Sequence, residues 1–344
     1  MSESTPAIVE SALPDTVNSR SALARSVYAG STGELADLDR YAKSANTLTG
    51  YASDWEQVRQ WASQRGLAAL PPVVDGRVKL TEPMLPGEVK LYIADRQADL
   101  KSITVARHLT SLKHWHYENG LPSPTDHPEV KKTLAGMKRK YAYRPDRATP
   151  LYLEEIAQIV AGLDDSPKGI RDRAIMLLGF WTACRRSELV ALTDKDLTDD
   201  PKGLIVHVAR SKVDQTGAGR DIGVHYRNDP AVCAVRALRR WVDLVDGSGP
   251  VFRYVDRWGN VGSKVLSGQS VSLTVKNGVQ SIGLDPDDYS AHSLRAGLVS
   301  WCDREGVPSA AIRAVTGHQS EAMMDSYSRP ADLFLHSAGA YVDV

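Results

Sequence analysis

The segment IRDRAIMLLGFWTACRRSEL, residues 170–189, decides how this chain is read. Its first part, IRDRAIMLLGFWTA, reads as a helix, and that helix delivers Arg185 with Glu188 three residues on. Further polar residues follow in order. Lys212 lies in VARSKVDQTG, between two strand-like runs. His292 and Arg295 form an H-x-x-R pair in SAHSLRAG, His318 stands in VTGHQS, and Tyr327 follows in MMDSYSRP. Arginines, a lysine, histidines and a tyrosine together suit an in-line attack on a phosphodiester. Arginine offers fixed charge and bidentate donors to a crowded phosphorane. A tyrosine becomes a covalent nucleophile once a neighbour takes its proton, and lysine or histidine moves protons near neutral pH.

In order and spacing these residues resemble the tyrosine recombinase family of phage integrase, Cre and Xer types. The resemblance spans residues 42–330 and is strongest at 182–189 and 290–328. The family's first motif is Thr-Gly-x-Arg-x-x-Glu-Leu. It stands here as Thr182, Ala183, Cys184, Arg185, Arg186, Ser187, Glu188 and Leu189, with Ala183 in place of glycine. That change narrows the backbone freedom of the turn. The spacing to Glu188 selects Arg185 over Arg186 as the phosphate ligand, with Arg186 an outward neighbour. Taken alone each motif is weak, since H-x-x-R pairs and surface Arg–Glu pairs are common. The ordered set carries the reading.

The resemblance implies a role for each residue. Tyr327 attacks the scissile phosphate; Arg185 and Arg295 hold the developing charge; His318 hydrogen-bonds a non-bridging oxygen. Thr316 stands where the family commonly has leucine. Lys212 is placed as the hairpin lysine that protonates the leaving 5′ oxygen. His292 either accepts the tyrosine proton or holds the phosphate, and Glu188 orients Arg185. No metal or other cofactor is implied. The implied partners are double-stranded DNA with an inverted-repeat site and further copies of the chain, as a homotetramer on two duplexes with a Holliday junction intermediate.

A chain of 344 residues has room for about two domains. Its 42% apolar and 24% charged content is that of an ordinary globular protein. The expected fold is mainly α with a small β-sheet: an all-helical N-terminal core-binding domain and an α+β catalytic domain. We expect a tail over 1–41, helices over 42–140, a linker at 141–150, and the catalytic domain with a C-terminal tail helix over 151–344. The predicted N-terminal helices are NTLTGYASDWEQVRQWASQRG, PGEVKLYIADRQADL, SITVARHLTSLKHWHYENG with Ser102 as cap, and HPEVKKTLAGMKRKY with Pro128 in its first turn. LPPVVDGRVKLTEPMLP reads as loop. GLIVHVAR and RDIGVHY read as strands, and VFRYV is a candidate third.

Net charge is zero, with 42 basic and 42 acidic residues, so DNA contact must rest on distribution. Lys131, Lys132, Lys138, Arg139, Lys140, Arg144 and Arg147 face one acid, Asp146, within 131–147. Arg107, Lys113, Lys131, Lys132 and Lys138 are the expected backbone contacts, on charge and helix face. The N-terminus lacks the pattern of a signal peptide, and Cys184, Cys233 and Cys302 are too scattered for a disulfide framework or zinc site. Both fit a cytoplasmic, nucleoid-associated protein. ADLFLHSAGAYV near the C-terminus packs either on its own domain or on a neighbouring protomer. A type IB topoisomerase shares such a pocket, and a non-cleaving DNA-binding relative would share the fold. The recombinase-like N-terminal half argues against the first, and the intact residue set against the second.

Overall fold

The computed structural model describes residues 43–143, 148–209 and 219–317. The chain divides into two compact units, Met1–Pro145 and Asp146–Val344. The expected tail and residues 144–147 of the expected linker lie outside the described residues. Among the described residues no helix is long and apolar enough to cross a membrane.

In the first unit, helix α1 (Ala45–Gln64) is capped by Ser44, whose hydroxyl accepts from the Thr47 N–H at 3.2 Å. Trp55, Val58, Trp61 and Ala62 recur at helical spacing and are buried. They meet Val89, Tyr92 and Ile93 of α2 (Pro86–Arg96) and Val105, Leu109, Leu112 and Trp115 of α3 (Ser102–Glu118) in one core. Helix α3 begins differently from the expectation: Lys101 is its cap and Ser102 is the first helical residue, buried. The first turn closes from the Thr104 N–H onto the Lys101 carbonyl at 2.9 Å, which puts Ser102 inside the helix. In α4 (Pro128–Lys140), Pro128 opens the helix, Val130 and Met137 are buried, and Lys131, Lys132 and Lys138 are exposed.

The unit is not all-helical. Strands β1 (Val73–Val74) and β2 (Arg77–Val78) form a short antiparallel hairpin. Its turn is Asp75 and Gly76, at φ of 50° and 71°, the conformation that matches hairpin twist. Indole N–H groups secure the surrounding loop and helices: Trp55 donates to the Pro71 carbonyl at 2.8 Å, and Trp61 to Asp95 at 2.9 Å. Beneath them runs a buried polar chain. The Tyr92 hydroxyl lies 2.5 Å from His108 Nδ1, and His108 Nε2 lies 3.4 Å from Asp54. Arg107 reaches Asp54 at 2.9 Å.

The second unit surrounds α6 (Pro167–Thr182). Ser166 caps it and Pro167 opens it. Ala174, Ile175, Met176, Leu177, Leu178 and Phe180 are all buried, so this helix is enclosed on every side. It packs against α8 (Ala234–Leu244) and α10 (Ala291–Arg304), with α5 (Leu153–Ala161) and α9 (Gly268–Ser281) alongside. A three-stranded antiparallel sheet has the order β3 (Leu197–Asp200), β4 (Gly203–Val208), β5 (Arg220–His225). Leu204, Val206 and Val208 of β4 and Ile222 and Val224 of β5 alternate inward, the period of a half-buried sheet. The two predicted runs are β4 and β5. Strand β3, LTDD, carries no apolar alternation and is recruited by pairing, Leu197 opposite Val206 through Asp200 opposite Gly203. The VFRYV segment supplies β6 (Arg253–Val255), which pairs with β7 (Val261–Val265).

Candidate active site

Helix α6 ends at Ala183, which adopts the left-handed conformation at φ 48° and ψ 25°. An alanine there is strained where glycine would not be. The turn breaks the helix and carries the chain through buried Cys184 to Arg185, the cap of the short helix α7 (Arg186–Ala191). Glu188 then folds back. Its Oε2 accepts the Arg185 backbone N–H at 3.0 Å, and its Oε1 accepts from Arg185 Nη1 at 2.7 Å. Arg186 is exposed, so the two adjacent arginines face different surroundings.

Ala183 also connects the two motifs. Its carbonyl accepts from Arg295 Nη1 at 2.8 Å, across 112 residues of chain. Arg295 is only 1% exposed, on the inner side of α10, whose cap is Ser290. His292 sits one turn before it at the exposed start of that helix. Partial desolvation first, then the charges of Arg295 and Arg185, lower the pKa of His292. Both arginines therefore act on the same imidazole, which is neutral at neutral pH and able to accept a proton. Cys184 is not a rival nucleophile: burial pushes its thiol up to about 11.

Glu188 is the hub of the cluster, its side chain 2% exposed. A third arginine reaches it: Arg220 Nη2 donates to Glu188 Oε2 at 2.8 Å. Burial alone would raise the Glu188 pKa; the hydrogen bonds and charges of Arg220 and Arg185 outweigh that, and the net shift is downward. Arg220 Nε also donates to the Val315 carbonyl at 3.2 Å, near the end of α11 (Ser309–Thr316). Gly317 caps α11 at φ 67°, against the Arg220 guanidinium. The sequence motifs do not single out Arg220. Its one signal there is a basic residue opening the strand-like run RDIGVHY.

Arg185, Glu188, His292 and Arg295 are thus brought into one cluster. Lys212, His318 and Tyr327 lie outside the described residues. The chain leaves β4 at Val208 and re-enters β5 at Arg220, which pair in register, and Lys212 belongs to the connection between them. In the first unit, Arg107 is committed to Asp54. Lys113 donates to Asp126 at 2.8 Å, and Lys131 lies 3.6 Å from the same carboxylate.

Residues 150–333 match the model of the phage integrase family. The integrase/recombinase xerD homolog of Selenomonas ruminantium is 33% identical over 302 residues, covering 86% of this chain and 85% of that protein. Tyrosine recombinase XerD of Rhizobium meliloti strain 1021 is 23% identical over 310 residues, covering 88% and 90%. Among solved structures, a lambda integrase (75–356) dimer bound to a COC′ core site superposes with a TM-score of 0.56 at 19% identity. That likeness covers 84% of this chain and 93% of the other. The left-handed Ala183 turn, the paired arginines and these matches agree: the chain belongs to the phage integrase family of tyrosine recombinases.

Proposed function

We propose that the arginine cluster binds the scissile phosphate while Tyr327 attacks it. As a family member the chain is a site-specific DNA recombinase. The tyrosine oxygen forms a bond to phosphorus as the bond to the 5′ oxygen breaks, giving a 3′-phosphotyrosyl link. The tyrosine proton passes to His292, and Lys212 protonates the departing 5′ oxygen. Arg185 and Arg295 carry the negative charge that builds on the non-bridging oxygens, assisted by His318. A 5′ hydroxyl of the partner duplex then reverses the step and joins new strands. The energy of the broken phosphodiester is held in the covalent link. A homotetramer on two duplexes, passing through a Holliday junction, exchanges the strands.

The observation that carries this reading is the convergence of Arg185 and Arg295 on His292, around the Ala183 turn. Burial first, and then the two guanidiniums, lower the imidazole pKa, so His292 meets the tyrosine as a neutral imidazole able to accept its proton, not as a charged phosphate ligand. The relatives named above are integrases and recombinases. For the first unit we propose that the exposed face of α4 lies along the DNA backbone. Lys131 and Lys138, seven residues apart, share one side of it, with Lys132 beside them; Arg107 and Lys113 are already held in internal ion pairs.

The test is covalent trapping. Wild type and Tyr327→Phe are mixed with nicked duplexes made from source-genome fragments, denatured, and the attached DNA sequenced. Wild type is expected to retain DNA at one inverted-repeat sequence, and Tyr327→Phe to bind that DNA without retaining it. Equal loss of binding and capture in the variant would sink Tyr327 as nucleophile. Wild-type attachment scattered over many sequences would favour a topoisomerase. Replacing Lys131, Lys132 and Lys138 with glutamine should flatten the salt dependence of DNA binding, by about 0.9 in log–log slope for each phosphate no longer neutralised. An unchanged slope removes α4 from the interface.

A further inference from the structure

Arg220 lies outside every motif, yet it touches three parts of the site. Its Nη2 holds Glu188 Oε2 at 2.8 Å, its Nε holds the Val315 carbonyl at 3.2 Å, and its guanidinium lies against Gly317. It is also the first residue of β5, where the connection bearing Lys212 ends. The Arg220 side chain is 14% exposed and that of Arg185 21%, so the pair is shielded from solvent but not sealed.

The balance of charge gives the Arg220–Glu188 pair its meaning. With Arg185 as sole partner, the Glu188 carboxylate would cancel the charge of the arginine that must bind phosphate. Sharing the carboxylate between two guanidiniums leaves the group with one positive charge. The carboxylate still has an oxygen for each: Oε1 for Arg185 Nη1, and Oε2 for Arg220 and the Arg185 N–H. Glu188 can then orient Arg185 without neutralising it. The second bond, to Val315, ties the same guanidinium to the end of α11, where Gly317 precedes His318 in the chain. A glycine suits that place: a Cβ on Gly317 would stand 3.2 Å from Arg220 Nη1, and φ is 67°.

We propose that Arg220 is a positioning residue for DNA cleavage, which acts through Glu188 to hold Arg185 aligned and positively charged and fixes the end of α11 beside them. This rests on the reading of Arg185 as a phosphate ligand. Arg220 itself need not touch DNA.

The test uses the full chain and the nicked duplex recovered with wild type in the trapping experiment. The rate of covalent-complex formation at saturating protein, the duplex Kd and Tm are measured for wild type, Arg220→Gln and Arg220→Lys. Removing the positioning charge should slow the covalent step about 100-fold in Arg220→Gln while Kd changes by less than about threefold. Arg220→Lys should recover about tenfold of that rate, since an ammonium restores charge but not both bonds. Methylguanidine should speed an Arg220→Ala variant and leave wild type unchanged. If Arg220→Gln does not fold, the lysine variant and the rescue experiment carry the comparison. Cleavage by Arg220→Gln at the wild-type rate overturns the proposal and leaves the site reading intact. So does a loss seen equally in Tm and Kd, with no gain from lysine or methylguanidine. Absence of any adduct with wild type overturns the site reading, and this inference with it.

Discussion

In the first unit Asp54, His108 and Tyr92 form a buried chain that by residue type resembles a catalytic relay; in the second, Arg185, Glu188 and Arg220 form a cluster of ordinary ion pairs. Their surroundings reverse that impression. His108 is 3% exposed and Asp54 2%. Burial, then Arg107 and Arg96, bring the His108 pKa down to about 4, and burial pushes Tyr92 up to about 12. Tyrosine therefore donates its hydroxyl proton to His108 Nδ1, and the proton on Nε2 faces Asp54. The Asp54 carboxylate is matched by the Arg107 guanidinium, and Arg96, the second guanidinium acting on His108, is paired with Asp99. In the second cluster one carboxylate serves two guanidiniums, Arg295 lies nearby, and positive charge remains for a phosphate. Residue type does not distinguish a structural network from a working one. Access and surplus charge do.

Breaking each cluster at its carboxylate or its histidine sharpens this contrast. The largest stability effect belongs to Glu188→Ala, which strands two shielded guanidiniums and the Arg185 N–H. It should cost about 3–5 kcal/mol in a urea melt, with cleavage lost as well; a loss under about 1 kcal/mol would show the hub to be dispensable. Next is acid. The folded pKa of His108 lies below its unfolded value, so its contribution is complete above about pH 6.5 and is lost as pH falls towards 4. The loss is on the order of 3 kcal/mol. His114 and His116, both lowered chiefly by burial, act in the same direction, while Asp54, raised chiefly by burial, partly offsets them. His108→Gln should flatten the acid limb of stability against pH, and a limb left as steep would place the titration elsewhere. The smallest effect is Ala183→Gly. Relieving the left-handed alanine should stabilise the protein by about 0.5–1 kcal/mol, read as a small rise in Tm. A fall in Tm would mean that the alanine methyl packs well enough to outweigh its strain.

The helices of the first unit were legible because their signals are local: Pro128 at the start of α4, and apolar residues at helical spacing. The short hairpin has a local signal too, Asp75-Gly76 between β-branched residues, but the surrounding prolines mask it. Strand β3 has none, since LTDD shows no pattern until β4 pairs with it. The lysines and arginines of α3 and α4 could be placed on helix faces, but their ion pairs could not. Only the fold commits Arg107 to Asp54 and Lys113 to Asp126.

For the candidate site, order and spacing, read through the family resemblance, singled out Arg185, Glu188, His292 and Arg295, because a motif preserves chemistry within a few residues of backbone. That Arg185, and not Arg186, pairs with Glu188 was readable for the same reason, Glu188 being one turn away. What no spacing reveals is the Arg295 bond to the Ala183 carbonyl across 112 residues, or the Arg220 bond to Glu188 across 32. These bonds depend on how α6, α10 and β5 pack, and packing is set by the whole core of the second unit, not by any local stretch. The sequence names the groups able to hold a phosphate; tertiary structure decides how their charges are shared.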